Sequence, residues 1–295
     1  MSPSRGPERA SRPALARRPR PPERYADARP GEIIAASPGA AALGALGFAA
    51  TLFVLVWLAW RGSRDLGYAW QWYRVPHEIF RRVGGGWQAG PLVEGLLVTL
   101  GVSLRAMVLA LLLGLATAAA RLAGTPFLRG LARAHIEIIR GTPLLVQLYL
   151  FYFILAPLVG LGRFWTGTLA LAVFESVFAA EVMRGAIRSV APGQWEAARA
   201  LGLGERTIWR RVILPQTVLP MLPPLAGILV SLIKDSAIVS VISVFDLTNQ
   251  GRNIISDTFM SFEIWFTVAA LYLMMTLSLS TLVNGIERRV RRLRA

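Results

Sequence analysis

Apolar runs of membrane length constrain this chain more than any other feature of its sequence. Six such runs lie at 40–60, 92–120, 141–161, 165–183, 216–233 and 264–284. A hydrocarbon core of about 30 Å needs roughly 20 apolar residues in a helix that rises about 1.5 Å per residue. Inside the bilayer each run has to satisfy its own backbone hydrogen bonds, and a helix does this within one segment. The pattern predicts an all-α membrane protein with six transmembrane helices.

The charge balance separates this class from its main rival. The chain has 295 residues, 54% of them hydrophobic, and a formal net charge of +15. A nucleic-acid-binding protein can carry such a charge, but it does not need membrane-length runs, so we predict no nucleic-acid partner. The absence of cysteine excludes disulfides, thiolate metal sites and cysteine nucleophiles. We predict no metal and no cofactor in this chain.

Arginines orient the predicted spans. If the N-terminal tail is cytoplasmic, the segments on that side hold 23 basic residues and those on the other side hold 8. This bias places both termini in the cytoplasm. Residues 1–39 are rich in Arg and Pro and poor in large aliphatic residues, which predicts a disordered cytoplasmic tail, and 290–295 form a short basic tail.

Residues 61–91 follow the first span and alternate aromatic with basic side chains before three successive glycines, Gly84 to Gly86. Tryptophan, tyrosine and arginine at a span boundary are typical of the membrane–water interface. The segment is predicted to lie on the external membrane surface, in contact with membrane lipid.

A polar stretch over 192–215 contains residues that typically begin and end helices. They predict two short helices joined by a turn, an arrangement called here the elbow. Pro192 and Gly193 can begin a short helix in which Trp195, Ala198 and Leu201 share one face. Gly202 is predicted to end this helix, because glycine adopts the left-handed backbone conformation common after a helix end at little cost in free energy. A second helix is predicted to begin near Thr207 and to end by Pro215. The polar face comprises Glu196, Arg199, Glu205, Arg206, Arg210 and Arg211.

Two interpretations of this elbow follow from its residues. One is an ordinary amphipathic cytoplasmic loop with i,i+3 charge pairs such as Glu196–Arg199. The other is a compact knob that fits a partner's groove. The order Glu-Ala-Ala, then Gly202, then Ile-Leu-Pro up to Pro215 resembles the EAA loop of ABC importer permeases. The resemblance implies that the loop at 184–215 docks on a separate ATPase. The coupling residues it implies are Glu196, Ala197, Ala198, Leu201, Gly202 and Leu203.

Three further segments are similar to the polar amino-acid branch of these permeases. They are Arg-Gly-Thr-Pro-Leu-Leu-Val-Gln at 140–147, Ala-Glu-Val-Met-Arg-Gly-Ala-Ile at 180–187 and Lys-Asp-Ser-Ala-Ile-Val-Ser at 234–240. Locally, Thr142 is expected to cap a helix whose first turn contains Pro143. The resemblance covers 92–289 and implies a type I permease domain with five core helices, so the span at 40–60 is an addition. It also implies that Lys234, Asp235 and Ser236 lie by an outer gate.

The sequence contains no Gly-x-x-x-x-Gly-Lys-Ser/Thr motif, so ATP hydrolysis has to come from another subunit. No serine or threonine has a histidine nearby in the pattern of a nucleophile and its base, so we do not expect an enzyme. The resemblance implies a bacterial inner-membrane protein with four kinds of partner. These are a cytoplasmic ABC ATPase dimer, a second permease subunit that is the same or homologous, a periplasmic or lipid-anchored substrate-binding protein and an amino-acid substrate.

Two charged residues lie well inside predicted spans, where an ionisable group costs several kcal/mol unless it faces protein, water or a partner. Counting from the span starts places Arg105 and Glu175 at similar depths of about 15–20 Å. One interpretation is a buried ion pair that ties two helices together. The other is that both line the substrate path and hold the carboxylate and ammonium groups of an amino acid. Uncharged residues are usual in the family at both positions.

The sequence therefore predicts a permease subunit of an ATP-driven importer for polar amino acids, in which closure of the partner ATPases drives alternating access. The alternative from another class is an ion-coupled secondary transporter that uses Glu175 as a proton site. That alternative gives the elbow no role. A third interpretation is a membrane-anchored protein whose tail has either a structural or a nucleic-acid-tethering role.

Overall fold

The computed structural model describes residues 38–65, 67–122 and 125–292. The predicted tail at 1–39 lies outside these residues except for its last two positions, as do the last three residues of the predicted tail at 290–295. The helices are α1 Pro38–Asp65, α2 Val75–Ile79, α3 Pro91–Leu122, α4 Pro126–Gly141, α5 Leu144–Leu150, α6 Ala156–Val159, α7 Arg163–Arg188, α8 Pro192–Ala200, α9 Glu205–Thr207, α10 Leu214–Asp235, α11 Leu247–Thr258 and α12 Ser261–Arg292. The strands β1 Phe80–Val83 and β2 Gly86–Ala89 form an antiparallel hairpin.

Four helical segments of the described chain are long and apolar enough to cross a membrane. They are Pro91–Leu122, Arg163–Arg188, Glu205–Ile242 and Ser261–Gly285. The pair Pro126–Gly141 and Leu144–Val159 is bent by 109° and adds a fifth span if it is counted as one broken helix. These spans confirm a mostly helical membrane protein. Helix α1 belongs to a separate unit at 1–69 and has a shorter apolar stretch, Ala42–Leu58, so its role as a sixth span stays a prediction.

Helix α7 is the most buried of the four spans and packs closely along α3. At Gly114 of α3, a Cβ atom would lie 2.8 Å from the Cβ of Ala179 and 2.9 Å from the carbonyl oxygen of Ser176. Small residues that allow such an approach are the usual contact between helices in a bilayer, where apolar burial alone provides no driving force. The α3–α7 pair is therefore the centre of the bundle.

The corner between α4 and α5 differs from its prediction. Thr142 does not cap α5, because its hydroxyl donates to the carbonyl of Ile138 at the end of α4, 2.9 Å away. A residue before proline is pushed into extended conformation, and Thr142 has φ −120° and ψ 140°. The buried amide of Gln147 donates to the carbonyls of Ile139 and Thr142 instead. A side chain from inside α5 thus provides hydrogen bonds to backbone carbonyl groups at the C-terminal end of α4.

The predicted helix end at Pro215 is wrong. The helix runs on through Pro215, and its residues Ile208–Ile213 form a π-helical stretch. A π stretch shifts the local hydrogen-bond pattern by one residue, which accommodates the missing N–H and the ring of the proline. Pro220, Pro223 and Pro224 lie further inside α10, where neighbouring helices make such breaks tolerable in a membrane protein.

Candidate coupling elbow and carboxylate cavity

The first helix of the elbow, α8, begins and ends where the sequence predicts. Helix α8 begins at Pro192 and ends before Gly202, which has φ +69°. The Leu203 N–H donates to the Ala198 carbonyl at 3.2 Å, and the Gly202 N–H donates to the Arg199 carbonyl at 2.9 Å. This pair of bonds is the Schellman arrangement, which satisfies the last carbonyls of a helix. No heavy atom lies within 4 Å of an added Cβ at Gly202, so its backbone conformation, and not lack of space, requires glycine.

The inner face of the elbow is anchored to the helix that leads into α10. Ala198 is buried, and Trp195 and Leu203 are partly buried in a cluster that includes Ile208. The Trp195 ring lies edge-on to Trp209 with a centroid distance of 5.1 Å. Helix α8 is therefore packed against the start of the next span.

Leu201 does not share this inner face, and the prediction that it does is wrong. Its side chain is 78% exposed. Leu201 is the C-cap residue with ψ 6°, so the helical period that aligns Trp195 with Ala198 no longer applies to it. The chain turns outward at this residue and presents an apolar side chain at the tip of the elbow.

The outer face of the elbow is polar, as predicted. The six exposed charged residues are Glu196, Arg199, Glu205, Arg206, Arg210 and Arg211. The predicted Glu196–Arg199 pair is replaced by an ion pair between the Arg199 Nε and Glu205 Oε1 atoms at 2.9 Å, which is worth only about 0.2–1 kcal/mol because both groups are exposed. Within the described chain Glu196 makes no ion pair, so its carboxylate is available to a partner.

An open cavity of 630 Å³ lies where α7 faces α10. Glu175 is 3% exposed and lines this cavity, and the carboxyl group of Asp235 lies within hydrogen-bonding reach of it. Ser231 and Arg140 complete the polar lining, together with Glu181, whose carboxylate pairs with Arg184. The remaining lining residues are Phe174, Val177, Phe178, Val182, Pro224, Gly227 and Ile228. The cavity joins one buried and one half-buried carboxyl group to aromatic and aliphatic walls.

The structure does not pair Arg105 with Glu175. The Arg105 guanidinium donates to the Gly101 carbonyl at 3.0 Å and lies 5.4 Å from the Phe164 ring centroid. The α3–α7 register explains the separation, because Gly114 packs beside residues 176–180. Along the helix axes, Arg105 then lies about six residues, or roughly 9 Å, nearer the N-terminal ends of α3 and α7 than Glu175 does. Counting from the span starts missed this offset.

The three predicted gate residues have different surroundings. Lys234 is exposed, whereas Ser236 is buried and donates to the Ile233 carbonyl at 2.8 Å. Asp235 faces the cavity of Glu175. Sequence reasoning missed this meeting of two acidic side chains from separate spans.

The family model for binding-protein-dependent transport system inner membrane components matches residues 110–292. The chain belongs to this family. The glutamine transport system permease protein GlnP of Escherichia coli (strain K12) is 38% identical over 209 residues, which are 70% of this chain and 95% of that protein. The match confirms the resemblance to amino-acid ABC permeases found in the motifs, and it shows a transport component that is not an enzyme.

Two solved structures have the same architecture. The crystal structure of an amino acid ABC transporter with histidines has 40% sequence identity and a TM-score of 0.63, and the match covers 68% of this chain and 94% of that one. The MetNI methionine ABC transporter in an inward-facing conformation has 22% identity and a TM-score of 0.60, over 68% of this chain and 96% of that one. The second likeness shows the shared fold alone.

Proposed function

We propose that this chain is the permease subunit of an ATP-driven ABC importer for a polar amino acid. The single observation that carries the proposal is the anchored elbow, whose outer face is exposed and whose inner face packs on the helix entering α10. Relatives that transport glutamine support the amino-acid class of the substrate. The partners would be a cytoplasmic ATPase dimer, a second permease copy or homologue and an external substrate-binding protein, in an inner membrane with both termini on the cytoplasmic side.

Force transmission follows from the contacts of the elbow. Ala198 packs in one cluster with Ile187 at the end of α7 and Ile208 before α10. The same two helices line the cavity that contains Glu175 and Asp235. A shift of α8 by closing ATPases would therefore move both walls of the cavity, which is the requirement for alternating access.

The cavity is the proposed substrate path. Carboxyl groups inside a span are costly unless a partner compensates them, and a substrate ammonium group is such a partner. Glu175 and Asp235 would hold that group. Arg105, nearer the start of the bundle, would meet the substrate carboxylate on its way in, with Lys234 and Ser236 near the outer gate.

The transport class is tested on the complex purified through a tag on this chain from its own membrane and reconstituted in vesicles. We expect uptake of labelled polar amino acids to need ATP and the binding protein and to persist when ionophores remove all ion gradients. Uptake driven by a proton gradient without ATP would contradict the proposal and favour a secondary transporter with Glu175 as its proton site.

The substrate path makes its own prediction. Glu175→Gln and Asp235→Asn should each lower uptake by about 10- to 100-fold, because a hydrogen bond to a charged group is worth about 1.5–3 kcal/mol. The double variant should cost less than the two single changes added together, since both groups would hold one ammonium. Initial uptake rates in vesicles measure the effect.

Glu94→Gln is the matched control for this prediction, because Glu94 is exposed on α3 and does not line the cavity. It should transport like the parent. Unchanged uptake by the double variant would exclude Glu175 and Asp235 from the substrate path.

A further inference from the structure

A folded appendage precedes the residues that the family model matches. Residues 70–91 comprise a short 3-10 turn at Trp72–Arg74, α2 and the β1–β2 hairpin. The Gln71 N–H donates to the buried carboxylate of Glu263 in the first turn of α12. The Trp70 ring lies 5.7 Å from Phe262, and the Trp72 ring lies 6.4 Å from Phe266. The appendage is thus fixed to the end of the bundle where α12 begins.

On one face of the hairpin Arg81 is held by the protein, whereas every residue of the other face, called here the free face, is exposed. In its register Arg81 pairs with Gln88 and Arg82 with Trp87, and side chains alternate between the two faces. Arg81 is held by Glu78 of α2, with the Nη2 and Oε2 atoms 3.1 Å apart. The opposite face presents Phe80, Arg82 and Trp87, and Trp87 is 75% exposed.

Other exposed aromatic residues lie on the appendage and at the start of α12. Tyr73 is 79% exposed, and Phe266, whose ring stacks on Trp72, is 58% exposed. The same helix then presents Leu273, Met274 and Leu277 outward along a membrane span. Exposed aromatic residues at the end of a membrane span are typical of the membrane–water interface.

The charge of the appendage suits phosphate groups. Glu78 is the only acidic residue in 70–91, and it is buried and paired with Arg81. Arg74 and Arg82 are exposed, so the accessible charge is positive. Basic side chains near a bilayer surface are attracted to anionic headgroups.

We propose that the Phe80, Arg82 and Trp87 face of the hairpin binds the phospholipid surface on the side of the membrane where α12 begins. Trp87 and Phe80 lie at the boundary of headgroups and acyl chains, and Arg82 contacts lipid phosphates. The appendage is a lateral anchor that fixes the outer end of α12 relative to the bilayer. The inference does not depend on the transported substrate or on ATP coupling.

The absence of cysteine from the chain allows a direct test with a single fluorescent label. Trp87→Cys and Gln88→Cys place an environment-sensitive nitrobenzoxadiazole probe on opposite faces of one strand. Phe80→Cys reports on the free face with Trp87 intact. The full-length protein is placed in nanodiscs of phosphatidylcholine and phosphatidylglycerol, and the probe is quenched either by iodide in water or by a spin label near the lipid headgroup.

We expect the probes at 87 and 80 to be quenched by the lipid spin label and protected from iodide at least threefold relative to the probe at 88. Arg82→Gln should reduce this contrast when phosphatidylglycerol is present and leave it unchanged in phosphatidylcholine alone. Equal iodide quenching at 80, 87 and 88 would overturn the proposal, as would equal lipid quenching at all three. Protection at 87 that appears only after a soluble protein is added would also overturn it and assign this face to a protein partner.

Discussion

Replacing Gly202 by valine is expected to abolish ATP-driven uptake while the chain still reaches the membrane. Gly202 ends α8 at φ +69°, a conformation that costs ordinary residues about 1–2 kcal/mol and a β-branched residue more. The two capping bonds to the Ala198 and Arg199 carbonyls depend on that conformation. Their loss would turn the tip of the elbow away from its partner. Uptake in vesicles and recovery of the ATPase with the tagged permease measure the result.

Two control variants separate backbone strain from added bulk. Gly202→Asn should keep most of the uptake, because asparagine tolerates the left-handed region better than other residues. Gly204→Val adds the same side chain two residues later, where φ is −67° and no atom lies within 4 Å, and it should fold normally. Glu196→Lys, which reverses the unpaired charge on the outer face, should lose the ATPase without backbone strain. Full recovery of the ATPase with both Gly202→Val and Glu196→Lys would refute the docking role.

The elbow was predictable because its signals are local. Pro192 and Gly202 set the bounds of α8 through backbone chemistry that acts within a few residues, and the structure has both. The errors at Leu201 and Pro215 have one physical origin. Helical periodicity and proline rules assume regular α-helix, and each fails where the backbone leaves it, at the C-cap and at the π-helical stretch.

The carboxylate cavity was not predictable in the same way. Glu175 was recognised as a costly charge inside a span, but its neighbour was assigned by depth alone. The neighbour of Glu175 depends on the offset of α3 against α7 and on the continuation of α10 beyond Ile233 to Asp235. Neither feature follows from the residues around Glu175 in the sequence. Sequence reasoning therefore found the unusual residue and missed its partner.

The α3–α7 contact that sets this offset should be among the least tolerant sites in the chain. Gly114→Ala would place a Cβ 2.8 Å from Ala179 and 2.9 Å from the Ser176 backbone, and the backbone cannot give way as a flexible side chain can. We expect a loss of about 1–3 kcal/mol, the range for overpacking a close contact. Gly114→Val should prevent folded protein from accumulating in the membrane. Thermal unfolding in detergent, followed by size-exclusion chromatography, measures the alanine variant.

Gly185→Ala in α7 is the opposite case on the same helix pair. Gly185 is exposed and has no atom within 4 Å of an added Cβ, so alanine should be neutral or should stabilise the helix by about 0.5–1 kcal/mol. The same substitution is thus expected to have opposite signs at the two glycines. Equal melting temperatures for the two alanine variants would mean that α3 and α7 do not approach as closely as Gly114 requires. The register that separates Arg105 from Glu175 would then lose its support.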